Sequence, residues 1–228
     1  MSDQPITEES KVELRFSLLG TMAVLIETSA GLDLTTQQRF WSLSDIIGAS
    51  AGVIETVLGM NNLLVVYDPF QQTPSRIEAQ VSEAWRHVEP KALNGRVIRI
   101  PAIYGGERGP DLPALCEKTG LTVEQIAEIH SSKDYTVFAP GAAPGFGYLY
   151  GLDRRLFMAR KPVPAMRKFS NSINIGGYQT SLSPKPGITG WNAIGYSPDA
   201  PVPFDPNRNP MSIVNIGDTI RFTLEGFG

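Results

Sequence analysis

SINIGGYQTSLSPKPGITGWNAIGY, residues 172–196, decides how the second half of this chain folds. Short strand-like stretches at 172–175, 179–182 and 191–196 are separated by Gly176-Gly177 and by the cluster running from Pro184 to Gly187. Short β segments spaced by turn residues are the pattern of a small barrel. Working outward, residues 135–139 and 219–224 repeat it on either side. Upstream of 135 the period changes. Asp111 is placed to cap a short helix reaching Lys118, and Thr122 with Gln125 makes a capping box for a second helix that runs to His130.

The first hundred residues have a different texture. Residues 12–18 and 23–27 read as one or two strands around a turn at Gly20. Thr35 and Thr36 are N-cap candidates for a helix whose apolar face is Phe40, Leu43 and Ile47, with Gly48 stopping the run. Residues 53–58 and 63–67 form a hairpin about the Gly59-Asn62 turn, because Gly and Asn accept the backbone angles that such a turn requires. Thr73 and Pro74 suit the N-cap and first position of a second helix, with Ile77, Val81, Ala84, Trp85 and Val88 on one face. A strand over 96–101 closes the set. The order βαββαβ is the split βαβ arrangement of ferredoxin-like domains. The reading is therefore α+β, with residues 1–95 a ferredoxin-like domain and 96–228 a β-barrel domain.

With 228 residues and 42% hydrophobic content the chain can bury real cores. Its net charge of -3 leaves no electrostatic footprint for nucleic acid. Cys116 is the single cysteine, so disulfide and cysteine-zinc frameworks are excluded and a reducing compartment is expected, with Cys116 packing as a small hydrophobe. Residues 1–11 lack the apolar core of a signal peptide, and nowhere is there an 18-residue apolar run. The expected location is cytoplasmic, with no membrane partner. His87 and His130, without a cysteine cluster or closely spaced carboxylates, do not make a metal site.

The candidate functional residues lie in the second half. His130, at a helix end, is either a base or a structural histidine meeting the helix C-terminus. Arg160 and Lys161 either bind a carboxylate or phosphate or form a solvated pair, the arginine offering a planar fork and the lysine a point charge. Gln179, after a glycine pair, presents a donor and an acceptor to an amide, or else simply pairs at the barrel edge. Tyr104 opens the turn Tyr104-Gly-Gly-Glu107. Phe146, Tyr148 and Trp191 line an apolar pocket or pack in the core. No phosphate-cradling Gly-x-x-x-x-Gly-Lys-Ser/Thr motif and no Gly-x-Ser-x-Gly elbow occurs, which disfavours an autonomous serine hydrolase.

Read in order, Tyr104-Gly-Gly-Glu107, Gly109-Pro-Asp-Leu112, His130-Ser-Ser132, Ala143-Pro-Gly-Phe146 and Tyr148-Leu149 resemble the signature of the subunit-1 allophanate hydrolase family. Ile175-Gly-Gly177, Gln179-Thr180, Gly190-Trp191, Phe204-Asp-Pro206 and Gly217-Asp218 continue the likeness. That family includes the B-type component of bacterial 5-oxoprolinase, the sporulation kinase A inhibitor and a carboxyltransferase domain. The chain departs from the pattern where Met166-Arg-Lys-Phe169 replaces an expected glycine-serine-valine run, and where Ala159-Arg160-Lys161 stands for threonine-proline-arginine.

The resemblance implies a cyclophilin-like barrel and an enzyme subunit. Its partners would be a subunit-2 or C-type homologue with a related barrel and a LamB/YcsF-like subunit. The implied reaction is ATP-dependent opening of 5-oxoproline to glutamate, a small cyclic amide, with ATP at a shared site or on a partner. On this reading His130, Gln179 and Lys161 act on the substrate, while Arg160, Tyr104, Phe146 and Trp191 bind it. Two alternatives stay open. One is carboxyl transfer from carboxybiotin to a urea-like acceptor, the only reading that calls for biotin, and the other is non-catalytic inhibition of a histidine kinase.

Overall fold

The computed structural model describes residues 12–29, 31–141 and 143–228. The expectations for residues 1–11 and for Ala142 lie outside these described residues. The chain divides into two compact units, Met1–Lys91 and Ala92–Gly228.

In the first unit β1 (Leu14–Leu19) and β2 (Ala23–Thr28) form a hairpin. They are followed by α1 (Leu34–Gly48), β3 (Val53–Leu58), β4 (Asn62–Tyr67) and α2 (Pro74–His87). The sheet order is β1-β2-β4-β3. β2 and β3 flank β4, which runs antiparallel to both, so the β2-α1-β3 crossover is split by β4 as in ferredoxin-like domains. The element order, however, is ββαββα. The strand expected over 96–101 to close this sheet belongs to the second unit, and β1 fills the edge beside β2 instead, in a tight hairpin with register Leu14↔Thr28 to Leu19↔Ala23 whose closure costs little chain entropy.

Local signals explain the two helices. Thr73 Oγ1 accepts the N–H of Arg76, and Pro74 occupies the first turn, where its missing N–H costs nothing. The expected Thr35 and Thr36 caps are displaced by Asp33, whose carboxylate accepts the Thr36 N–H at 2.7 Å. Asp33 takes the position because it holds extended backbone at φ -144° while the threonines are already helical. Phe40, Leu43 and Ile47 from α1 meet Ile77, Val81 and Trp85 from α2 over Val24, Ile26, Leu63 and Val65 of the sheet. Each such apolar side chain contributes about 1.5–3 kcal/mol of burial. The β3–β4 turn uses Asn61 at φ 53°, the left-handed conformation that asparagine tolerates.

The second unit opens with β5 (Val97–Tyr104), α3 (Leu112–Thr119), α4 (Val123–Ser131), β6 (Asp134–Pro140) and β7 (Gly147–Tyr150). It continues with β8 (Ala165–Arg167), β9 (Ser172–Gly176), β10 (Gln179–Ser183), β11 (Gly187–Thr189), β12 (Asn192–Tyr196) and β13 (Thr219–Phe227). Among the described residues seven strands close into a barrel, β10-β7-β6-β13-β5-β12-β9. Closure leaves no free sheet edge. β8 and β11 form a separate two-stranded ribbon. The expected capping box is made: Thr122 Oγ1 accepts from Gln125 N, and Gln125 Oε1 accepts from Thr122 N.

The pairing of β5 with β13 is parallel and runs along both strands. Asp218, just before β13 and 2% exposed, pins the start of both. Its carboxylate accepts from the Arg96 and Asn215 N–H groups and from the Arg96 guanidinium at 2.6 Å. Ile100, Ala102, Val137, Leu149, Ile173, Ile175, Ile194 and Ile220 fill the interior, and Cys116 packs half-buried against them.

Candidate functional site

Outside the barrel wall the second unit carries two neighbouring chambers. The first, about 260 Å³, takes its charge from Glu107, Arg108, Asp111, Lys161, Arg167 and Lys168. The second, about 340 Å³, is walled by Phe146, Tyr148, Pro184, Pro186 and Ile188. Arg167, Thr189 and Trp191 line both.

Each wall follows from local chemistry. Trp191 lies flat against β9 because Gly176 has no side chain there; a Cβ at that position would come within 2.8 Å of the indole. The Thr189 hydroxyl accepts the Trp191 N–H, fixing the turn out of β11. On the far side Gly109 passes so close to Ile194 that a Cβ would stand 2.7 Å from its backbone, which lets the approach to α3 dock on β12. Asp111 completes the docking: its N–H donates to the Ala193 carbonyl at 3.0 Å, and its carboxylate accepts the Ala193 N–H at 2.7 Å.

The same Asp111 oxygen holds the Lys161 ammonium at 2.8 Å. Lys161 retains 29% side-chain exposure and Asp111 19%, so the pair sits at the chamber wall within reach of a ligand. Lys161 is set in place by its own N–H, which donates to the Gly190 carbonyl at 2.6 Å. The Arg160 guanidinium stands 5.1 Å from the centre of the Trp191 ring, and that of Arg108 lies 4.5 Å from Tyr196 and 5.1 Å from Phe169. These are cation–π distances. In the second chamber Phe146 meets Tyr148 edge-on at 5.2 Å, and Tyr148 lies 6.3 Å from Trp191.

The structure thus brings Lys161, Arg160, Trp191 and Phe146 together around one surface and leaves the other candidates elsewhere. His130 and Tyr104 lie fully buried in the barrel interior. Tyr104 Oη is 2.7 Å from His130 Nδ1, and His130 Nε2 is 2.8 Å from Thr180 Oγ1. The Thr180 hydroxyl donates to the Asn174 carbonyl, so it must accept from Nε2–H, and the Tyr104 hydroxyl then donates to Nδ1. Tyr135 donates to the His130 carbonyl, and the rings of Tyr135 and Phe222 pack 5.2 and 4.8 Å from the imidazole. Burial lowers the His130 pKa to about 3 and pushes the phenols of Tyr104 and Tyr135 up. A neutral, fully hydrogen-bonded histidine with no exposed surface has no nitrogen left for a substrate. The structure places His130 and Tyr104 in a buried, hydrogen-bonded cluster that lines neither chamber. Gln179 begins β10 opposite Gly176 and lines neither chamber, and its Oε1 is buried without a partner among the described residues.

Three chamber residues escaped the sequence reading. Asp111 was expected to cap α3, yet its side chain makes no cap bond because Ala193 and Lys161 take it. The Gly109-Pro-Asp-Leu112 motif was the available signal. Arg108 and Arg167 sit next to Glu107 and Lys168, and nothing in those neighbours distinguishes them from surface charges. Among the described residues no cluster of three or more histidine, cysteine or carboxylate side chains forms a cation site, and no helix is long and apolar enough to cross a membrane.

Comparison with known proteins identifies the family and the fold. Residues 14–214 match the family described as carboxyltransferase domain, subdomain C and D. The B-type component of 5-oxoprolinase from Haemophilus influenzae is 34% identical over 204 residues, covering 90% of this chain and 94% of that protein. The crystal structure of TTHA0988 superposes with a TM-score of 0.72 at 27% identity, over 89% of this chain but 39% of that longer one. The urea carboxylase of Kluyveromyces lactis shares the fold, with a TM-score of 0.71 at 15% identity over 97% of this chain and 22% of the enzyme.

Proposed function

The chain belongs to the carboxyltransferase-domain family, subdomains C and D, and from that premise we propose that it is the B-type component of an ATP-dependent 5-oxoprolinase. The observation that carries the reading is the 34% identity to such a component over nearly the whole chain. In this reading the chain works with a C-type homologue and a LamB/YcsF-like subunit in the cytoplasm, and the substrate is a cyclic amide bearing a carboxylate.

The first chamber suits such a ligand. Lys161 holds the substrate carboxylate or the charge that develops on the lactam oxygen, and Asp111 keeps the ammonium in position, so that little reorganisation accompanies the reaction. Trp191, backed by Arg160, offers a flat face to the ring. ATP, at a site shared with a partner or on the partner itself, would supply the phosphoryl group that activates the lactam oxygen. The donor set fits a phosphate, since Arg108, Lys161, Arg167 and Lys168 line one chamber.

The test is co-purification with the C-type and LamB/YcsF-like subunits followed by ATP-dependent glutamate release from 5-oxoproline. Release is expected from the assembled complex and lost without this chain; an assembled, ATP-binding complex that releases none overturns the reading. A second reading, carboxyl transfer from carboxybiotin to a urea-like acceptor, is favoured by the matching family's own description. It would be supported by carboxylation of urea in the presence of a biotin carrier protein.

A further inference from the structure

Arg167 closes β8 opposite Gly187 of β11 and is shared by both chambers. One of its terminal nitrogens donates to the Lys185 carbonyl. Its Nε is buried without a partner, and among the described residues no carboxylate forms an ion pair with it. The other chamber cations differ: Lys161 is held by Asp111, and Arg108 faces two aromatic rings. Burial lowers the Arg167 pKa, as it does for a half-buried cation with no carboxylate beside it. An anion arriving from solvent relieves that state.

The barrel wall between the chambers is polar as well. Ser172 lines the first chamber, Ser183 lines the second, and the two are register partners on β9 and β10. The Asn174 amide nitrogen donates to the Ser172 carbonyl and the Ser183 hydroxyl, leaving Asn174 Oδ1 unpartnered at 0% exposure. Ser181, the register partner of Asn174, has an unpartnered hydroxyl at 1% exposure. Protein interiors leave few such groups without a partner, so two on adjacent strands mark this stretch of the wall as polar.

We propose that Arg167 is an oxyanion subsite on the wall shared by the two chambers, taking a carboxylate or a phosphate through Nε and a terminal nitrogen. It is separate from the Lys161–Asp111 pair. The guanidinium fork matches both anions bidentately, which a lysine at that position would not. The inference rests on the reading of these chambers as the ligand site, and not on the identity of the reaction.

The experiment is calorimetric titration of the full chain with sodium phosphate and, separately, sodium acetate at constant ionic strength. Saturable binding of at least one anion is expected, and which of them binds more tightly identifies the source. Arg167→Gln should weaken it by about tenfold or more. Arg167→Lys, which keeps the charge and loses the fork, should fall between, while the distant charge variant Arg221→Gln should stay within about twofold. Melting curves establish that each variant is folded, and Arg167→Lys serves if Arg167→Gln is not. Unchanged affinity in the folded Arg167 variants, or no saturable binding of either anion by the native chain, overturns the proposal. Anion binding that survives alongside a failed glutamate-release assay sinks the 5-oxoprolinase reading alone, whereas glutamate release with Arg167-independent anion binding sinks only the subsite.

Discussion

Two polar clusters of the barrel unit, both built from residues that look chemically able, have opposite fates. Around His130 every hydrogen-bonding atom of the ring is paired, exposure is zero and the imidazole is held neutral. Around Lys161 and Arg167 the charges meet solvent or one another, and buried polar atoms go without partners. Histidine is the more familiar catalytic residue, yet here it is the saturated one. The contrast teaches that residue type nominates a site and unsatisfied bonding capacity elects it.

Three measurements break or sharpen that contrast. The largest effect is expected from His130→Ala, which orphans the Tyr104 hydroxyl, removes the donor to Thr180 and leaves a cavity, and should destabilise the chain by about 3–5 kcal/mol in urea titrations. Unchanged stability with lost activity would return His130 to the catalytic list. Next, Lys161→Met should lower the activity of the assembled complex about a hundredfold, or about 2.7 kcal/mol, while stability moves by less than about 1 kcal/mol because the pair is partly exposed. A large stability loss without an activity loss would make the Lys161–Asp111 pair a structural clamp.

The smallest effect is a pH dependence. The His130 pKa is depressed to about 3 in the folded state from 6.5, so between these values the unfolded chain binds a proton that the folded one refuses. Stability is therefore full above pH 6.5 and falls on acidification, by about 1.4 kcal/mol per pH unit once below it. Denaturation between about pH 7 and pH 5 reads the slope before the carboxylates protonate. A flat profile there would mean that the imidazole reaches water.

Much of the fold was legible because its signals are local. Thr73-Pro74 starts α2, Thr122 and Gln125 close their box, and Asn61 turns the β3–β4 hairpin within a handful of positions. The strand after residue 96 misled the reading for the opposite reason. Its stabilising partner is β13, held through Asp218, 122 positions from Arg96, and nothing within a local window distinguishes that pairing from one with the first sheet. The short ribbon strands β8 and β11 were also invisible, since three-residue segments carry no period.

From its residues alone the chain settled the two textures, the caps and turns, the family likeness and the list of residues able to do chemistry, because each depends on neighbours in sequence. Which of those residues are spent and which remain available was decided by barrel closure. Closure drew the His130 ring inward among Tyr104, Tyr135, Thr180 and Phe222, and it left Asp111, Lys161, Arg167 and Trp191 on the outer wall. Desolvation and hydrogen-bond saturation belong to the closed surface as a whole, and no stretch of sequence contains that surface.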